Sequence, residues 1–270
     1  MKIAVYQGEG VAGSVSSALE VMRRYALLAA AQGAAMVIFP EMFLTGYNIG
    51  DAVFGLAEPA DGPSAEAVRQ IAGDTGVSLL YGYPERSGDQ VFNSARLIHP
   101  AGGGAANYRK THLYGSEERR LFQRGDALVV VETNGLKVGL LICYDVEFPE
   151  AVRALAMAGA DVVAVPTALI RPFDIVARTL VPARAYENQV YIAYAGLCGS
   201  EGGLGYCGLS CIVAPDGRDL ARAGDDPALL LAEIDVSAIS SGRKQNPYIA
   251  DRHPALYAAP VTRAMDPCGK

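Results

Sequence analysis

Three side chains in this chain of 270 residues could together carry out acyl-transfer chemistry: the thiol of Cys143, the carboxylate of Glu41 and the ammonium of Lys110. A cysteine needs a base to become a nucleophile, and donors for the charge that develops on the attacked carbonyl. Cys143 ends the apolar run Lys137–Ile142, and Pro149-Glu150 marks a helix start just beyond it. The resulting strand, turn and helix would present the thiol at a sheet rim. There the free N–H groups and the dipole of the following helix favour a thiolate. Glu41 directly follows the apolar stretch Met36–Pro40 among aromatic residues. Partial desolvation at such a place raises a carboxyl pKa, which suits a general base near neutral pH. Tyr108-Arg-Lys-Thr-His-Leu113 alternates, so Tyr108, Lys110 and His112 are expected on one strand face. Taken singly, each group has an ordinary explanation: a small buried apolar residue, a loop glutamate, an edge-strand lysine. Their joint presence, each inside a longer motif, is what points to a site.

The elements that must position them alternate between strand and helix. Strands are expected at 2–7, 36–40, 77–83, 94–99, 107–113, 161–166, 190–197, 209–215 and 228–234. Ser16–Gln32 has helical periodicity, with Leu19, Met22 and Ala26 on one side. Ser64–Gly76 is a second helix, with Ser64 as N-cap, Glu66 in the first turn and Gly76 as the stop. The glycines at 102–104 form a loop. Asn134-Gly135, between the apolar runs 128–133 and 136–142, is a strong hairpin signal. Pro149–Gly159 reads as a helix, and so does Asp174–Asn188, where Pro182 must kink or restart it. Interleaved strands and helices indicate an α/β architecture, and the turn-linked strand pairs exclude a purely parallel sheet. Layered mixed sheets covered by helices satisfy both constraints. No linker-like segment divides the chain, so residues 1–270 are expected to form a single domain. From about residue 237 the mixed tail, with prolines at 247, 254 and 260, reads as an arm.

Bulk properties exclude several classes. The formal charge is 23 − 29 = −6, with the signs interspersed, so no basic stripe suggests nucleic acid. No apolar run reaches membrane-spanning length. Met1-Lys-Ile-Ala-Val-Tyr enters a strand pattern without the apolar run of a signal peptide, and five irregularly spaced cysteines read as reduced thiols. A cytoplasmic protein is therefore expected. His99, His112 and His253 are too scattered to suggest a metal site.

The chain resembles the nitrilase superfamily of carbon–nitrogen hydrolases. The resemblance rests on Phe-Pro-Glu-Met-Phe-Leu-Thr-Gly-Tyr around Glu41, Tyr-Arg-Lys-Thr-His-Leu around Lys110, and Cys-Tyr-Asp-Val-Glu-Phe-Pro-Glu from Cys143. Two weaker stretches, Ala183–Val190 and the Pro-Asp-Gly turn at 215–217, extend it to about Ile239. It implies a four-layer αββα sandwich with two mixed β-sheets and a Glu41–Lys110–Cys143 triad. Glu41 would be the base and Cys143 the nucleophile that forms a thioester. Lys110 and the backbone N–H of Tyr144 would hold the oxyanion. A second glutamate would orient the lysine or the substrate; Glu118 has the usual offset, with Glu117 as the alternative. The resemblance further implies a small-molecule amide substrate, no metal or organic cofactor, and association as a homodimer or higher homo-oligomer.

Departures from the family pattern bear on the substrate. Relatives that hydrolyse nitriles usually carry Trp-Glu after the cysteine, whereas Tyr144-Asp145 here looks more like the amidase and carbamoylase branches. Many of those have arginine where this chain has Glu147. That reversal disfavours a carboxylate-bearing substrate and favours a neutral or amine-bearing carboxamide, unless Glu147 points away or pairs with Arg153. Thr167 and Ala168, together with Tyr144, are expected as pocket walls. The reading is therefore an amidase, with an N-carbamoyl amidohydrolase, a nitrilase or a catalytically silent binding protein of the same fold as rivals. The GxGxxG pattern at Gly203–Gly208 precedes a strand rather than a helix, so a flexible loop near the site is expected there instead of a dinucleotide site. Cys198, Cys207 and Cys211 lack metal-site spacing, and a Cys–His hydrolase using His112 would leave the other two motifs unexplained.

Overall fold

The computed structural model describes residues 1–102 and 105–258. Part of the 102–104 loop and the end of the arm, with Pro260, lie outside the described residues.

Two mixed sheets of six strands each form the frame. The first has β1 (Lys2–Gln7), β2 (Ala34–Ile38) and β3 (Ser78–Ser87) as its parallel heart. The antiparallel strands β4 (Gln90–Ile98) and β5 (Ala106–Arg109) lie on one side of this heart. In the second sheet, β7 (Leu136–Leu140), β8 (Val162–Thr167) and β9 (Tyr191–Gly196) are parallel, and β6 (Val129–Thr133) pairs antiparallel with β7. A small hairpin, β10 (Ser200–Glu201) and β11 (Leu204–Gly205), stands apart. The second sheet is completed by β12 (Cys211–Val213) and β13 (Asp219–Arg222). The last strand, β14 (Ala228–Glu233), returns to pair with β1 in the first sheet.

Alternation along the strands assigns the layers. Ile3, Val5, Met36 and Ile38 pack in one cluster with Val138, Leu140, Val162 and Ala164 of the other sheet. Their neighbours Ala4, Tyr6 and Val37 point the opposite way, onto Met22 and Ala26 of α1 (Val15–Ala31) and Val68 and Ile71 of α3 (Pro63–Thr75). Each such fully buried aliphatic side chain contributes about 1.5–3 kcal/mol. The far face of the second sheet is covered by α5 (Pro149–Met157) and α6 (Val181–Asn188). Leu155 of α5 comes so near Gly139 that a β-carbon there would sit 3.0 Å from it. The order helix, sheet, sheet, helix is the expected four-layer sandwich. Short helices α2 (Ala52–Leu56) and α4 (Gly115–Leu121) follow the ends of β2 and β5. The tail contains α7 (Val236–Gln245) and α8 (Pro254–Ala258).

Several local expectations change. The N-cap of α3 is Gly62, not Ser64; Ser64 lies inside the first turn, where its N–H and hydroxyl donate to Glu58. Strands β3 and β4 run on to a tight turn at Gly88-Asp89, because residues 84–93 pair across the hairpin. Asn134 and Gly135 both have positive φ, the geometry a two-residue hairpin demands. At Pro182 the missing N–H is accommodated by a π-helical turn, Val176–Leu180, that runs directly into α6. The segment expected to be a flexible loop at 203–208 instead contributes β11.

Candidate active site

Glu41, Lys110 and Cys143 meet at one end of the two parallel strand sets. Phe39 N–H still donates to Leu80, extending the β2–β3 ladder by one residue before Pro40 ends it. The turn that follows, with Met42 at φ +51°, folds Glu41 inward until it is wholly buried. This turn lies directly on Gly82: a β-carbon there would come within 2.3 Å of Met42 N and 2.7 Å of Glu41 Cα. One carboxylate oxygen of Glu41 accepts from Asn93 Nδ2 and Lys110 Nζ, both at 2.7 Å; the other accepts from Ala168 N–H at 2.9 Å.

Lys110 does not share a strand face with Tyr108 and His112. The strand stops at Arg109, and Lys110 is anchored beyond it through its own N–H to Asn93 O. Its side chain is fully buried between two carboxylates, 2.7 Å from Glu41 and 2.6 Å from Glu118. Of the two glutamates at the start of α4, Glu118 turns inward and also accepts from Tyr47 Oη at 2.7 Å and Tyr114 N–H at 2.8 Å. Glu117, with a side chain 71% exposed, pairs with Arg120 in solvent.

Cys143 adopts φ +45°, a conformation that costs a non-glycine residue energy and is held by its surroundings. The anchor is Asp145, two residues on and completely buried. Its carboxylate accepts from Ile142 N–H (3.0 Å), Tyr108 Oη (2.8 Å), Thr111 Oγ1 (2.9 Å) and His112 N–H (2.8 Å), with His112 Nδ1 also at 2.8 Å. It thereby ties the loop after Lys110 to the turn that carries the thiol. His112 serves this tie and stacks on Phe148. Cys143 itself opens a 3₁₀ turn, Cys143–Glu147, ahead of α5.

The electrostatics differ from the sequence expectation at the thiol. Burial, reinforced by Glu41, pushes Cys143 up, against the smaller opposing effects of Lys110, the Thr167 hydroxyl and Ala168 N–H. The resting group is therefore a thiol. The short 3₁₀ turn and its dipole do not offset desolvation beside a carboxylate. Glu41 is also raised, by burial first and Glu118 second, although Lys110 and Asn93 oppose this. Burial alone would lower Lys110, but Glu41 and Glu118 outweigh it and hold the ammonium well above its ordinary value. The cluster thus joins a permanent cation to a carboxylate and a thiol whose proton affinities are both elevated, the relation a proton transfer between them needs.

Above the thiol lies a cavity of about 250 Å³. Tyr47, Tyr114, Tyr144 and Phe173 supply its aromatic walls, and Ala168 part of its lining. Glu147 faces it too. Arg153 is not its partner, because that guanidinium donates to Glu187 O. Burial raises the Glu147 carboxyl, with Lys110 and Arg184 opposing. Thr167, expected as a pocket wall, is fully buried and does not line the cavity; its hydroxyl bonds to the Cys143 thiol and lies 3.0 Å from Tyr194 Oη. Among the described residues no three His, Cys, Asp or Glu side chains gather as a metal centre, and no helix is long and apolar enough to cross a membrane.

Four supporting residues escaped the sequence reading. Asp145 and Tyr47 lie inside motifs already quoted, so proximity to Cys143 and Glu41 was an available signal. Asn93 and Glu201 carry none. Glu201 accepts from the N–H groups of Tyr47 (2.8 Å) and Asn48 (2.7 Å) and from Tyr206 Oη (3.0 Å), across more than 150 residues of chain for the first two.

This sandwich, with a thiol, a carboxylate and an ammonium at the strand ends, is that of a carbon–nitrogen hydrolase of the nitrilase superfamily. The chain belongs to the carbon–nitrogen hydrolase family, whose model matches residues 2–244. It is 38% identical to an (R)-stereoselective amidase of a Pseudomonas species, over 80% of this chain and 79% of that protein. It is 37% identical to a nitrilase of Pyrococcus abyssi, over 85% and 88%. Among solved structures, the E41Q mutant of the amidase from Nesterenkonia sp. AN1 superposes with a TM-score of 0.86 at 35% identity, covering 95% of this chain and 98% of that one. That structure shows the result of Michael addition of acrylamide at the active site cysteine.

Proposed function

We propose that this chain is an amidase that hydrolyses the C–N bond of a small carboxamide through a cysteine thioester. The observation that carries the reading is the Glu41–Lys110 pair, 2.7 Å apart and acting on the thiol of Cys143, which lines the cavity. Because burial keeps Cys143 protonated, attack and proton removal go together. Glu41 takes the proton as Sγ bonds to the carbonyl carbon, and the carbonyl oxygen becomes an oxyanion facing Lys110 and the Tyr144 N–H. Collapse of this adduct breaks the C–N bond, and Glu41 returns the proton to the departing nitrogen, which leaves as ammonia. Water, deprotonated by Glu41, then attacks the thioester and releases the carboxylic acid and the thiol. Glu118 keeps Lys110 in place through the contacts at 2.6 Å and to Tyr47. The cavity, about 250 Å³ and lined mostly by apolar and aromatic side chains, suits small amides. The same reading has the enzyme cytoplasmic and self-associating near α5, where exposed Met157 and Leu256 offer apolar contact.

Ammonia release from a panel of carboxamides tests this, with N-carbamoyl amines and nitriles alongside. The expected result is release from small amides by the wild type and none by Cys143→Ala. A Cys143→Ala protein as fast as wild type would overturn the thioester route. Carbon dioxide release alongside ammonia from N-carbamoyl amines alone would favour the carbamoylase rival.

A further inference from the structure

Glu147 is the only ionisable acid or base of the carboxylate, ammonium or guanidinium type among the described residues lining the cavity above Cys143. Its side chain has no ion-pair partner among those residues. The two cations whose charge reaches it are paired elsewhere: Lys110 with Glu41 and Glu118, and Arg184 with the carbonyls of Val146 and Glu147 and the Glu187 carboxylate. A carboxylate facing an apolar, aromatic cavity without a counter-charge is costly. It is worse placed still when an oxyanion forms at Cys143, four residues earlier on the same 3₁₀ turn, at about 2 Å of rise per residue. A neutral acyl group leaves that repulsion standing, and an anionic one adds to it. A cation in the cavity relieves it. The walls suit such a cation, because Tyr114 and Tyr144 pack edge to face at 5.3 Å and Phe173 meets Tyr114 at 6.3 Å, around the same space. Aromatic faces attract ammonium groups.

Resting on the amidase reading, we propose that the acyl group of the substrate carries an ammonium, and that Glu147 with its surrounding aromatic rings recognises it. Sequence left neutral and amine-bearing amides open. Glu147, lining the cavity with no ion-pair partner among the described residues, selects the second. Its role is specificity: it meets the remote end of the acyl group, while Glu41, Lys110 and Cys143 act on the carbonyl.

The test compares kcat/KM for ω-amino amides of three to six carbons with alkyl amides of matching shape, for example 4-aminobutanamide with pentanamide, and adds the monoamide of succinic acid. Wild type is expected to favour the cationic member of the best pair at least tenfold and to take the anionic amide slowest. In Glu147→Gln the cationic-to-neutral ratio should fall towards one, with Glu147→Asp keeping part of it. Calorimetric binding of the same pair to Cys143→Ala reads recognition without turnover and should show the same preference. Equal or better use of pentanamide by wild type would refute the proposal while leaving the amidase reading intact. So would an unchanged ratio in Glu147→Gln. Failure to hydrolyse any amide, charged or neutral, would instead overturn the amidase reading and this inference with it.

Discussion

Replacing Lys110 by methionine removes the cation from a buried trio while keeping its volume. In the native site Nζ lies 2.7 Å from one Glu41 oxygen and 2.6 Å from one Glu118 oxygen. At an effective dielectric of 20, each contact corresponds to a Coulomb attraction of roughly 6 kcal/mol. Desolvation of each ion offsets several kcal/mol of that, so the intact trio adds little to stability. Breaking it is different, because two carboxylates are left buried without a counter-charge, at a cost of about 3–5 kcal/mol. For a chain of this size, at about 2–3 °C per kcal/mol, the melting temperature should drop by about 6–15 °C. The pH dependence should change as well. Lys110 is held above its ordinary value, so its stabilisation is present at neutral pH and fades only as pH rises through that elevated pKa. Without it, Glu41, already raised by burial, loses the cation that opposes that rise. Folding then favours the protonated form of Glu41, and stability of the variant should fall as pH rises from 5 to 8. Turnover should fall at least a hundredfold, the usual loss of one oxyanion donor. Scanning calorimetry across that pH range, paired with ammonia assays, reads both effects. Adding Glu118→Gln to Lys110→Met should recover part of the lost stability by removing one stranded charge, with no recovery of activity. A single variant melting within 2 °C of wild type, or a double variant less stable than the single one, would refute the charge argument.

Three further outcomes follow from the geometry. Glu118→Gln should lower kcat by an order of magnitude or more because its oxygens receive Lys110, Tyr47 and the Tyr114 N–H, whereas exposed Glu117→Gln should leave steady-state rates within about twofold; equal effects would contradict the assignment. Gly82→Ala should cut kcat/KM more than tenfold and lower the melting temperature, since its β-carbon would collide with backbone at Met42 and Glu41 that has no side-chain freedom to yield; a crystal structure or near-wild-type kinetics showing Glu41 undisturbed would count against that. For Glu85, burial alone would raise the carboxyl, but donors on Arg109, Ser94 and Asn107 outweigh it and hold it below the ordinary value of 4.5. Its stabilisation is therefore present above pH 4.5 and lost as pH falls through the lower folded pKa. Glu85→Gln should flatten the acid limb of the stability curve, measured by urea denaturation between pH 3 and 6, and an unchanged slope would show that another group governs it.

Much of this molecule was legible locally. The apolar run in 2–7, the Asn134-Gly135 turn and the stop at Gly76 are short-range signals, because strand propensity, hairpin geometry and the freedom of glycine at positive φ act over a few residues. The motifs around Glu41, Lys110 and Cys143 were equally visible, together with the family to which they belong. What sequence could not supply is whatever depends on residues distant along the chain. The state of the Cys143 thiol is one case: a helix-start argument favours the thiolate, yet desolvation by the folded cavity and the charge of Glu41 prevail. The choice between Glu117 and Glu118 is another, since one turn of α4 points one carboxylate at Lys110 and the other at water. Thr167 and Ala168 adjoin in sequence, but at the end of β8 the first is fully buried with its hydroxyl on the Cys143 thiol, whereas the second lines the cavity and gives its N–H to Glu41. Sequence by itself determined which chemical groups exist and the elements that carry them. The tertiary structure decided their charge states, their partners and the surplus carboxylate at Glu147, because desolvation and Coulomb interactions depend on distances that only packing sets.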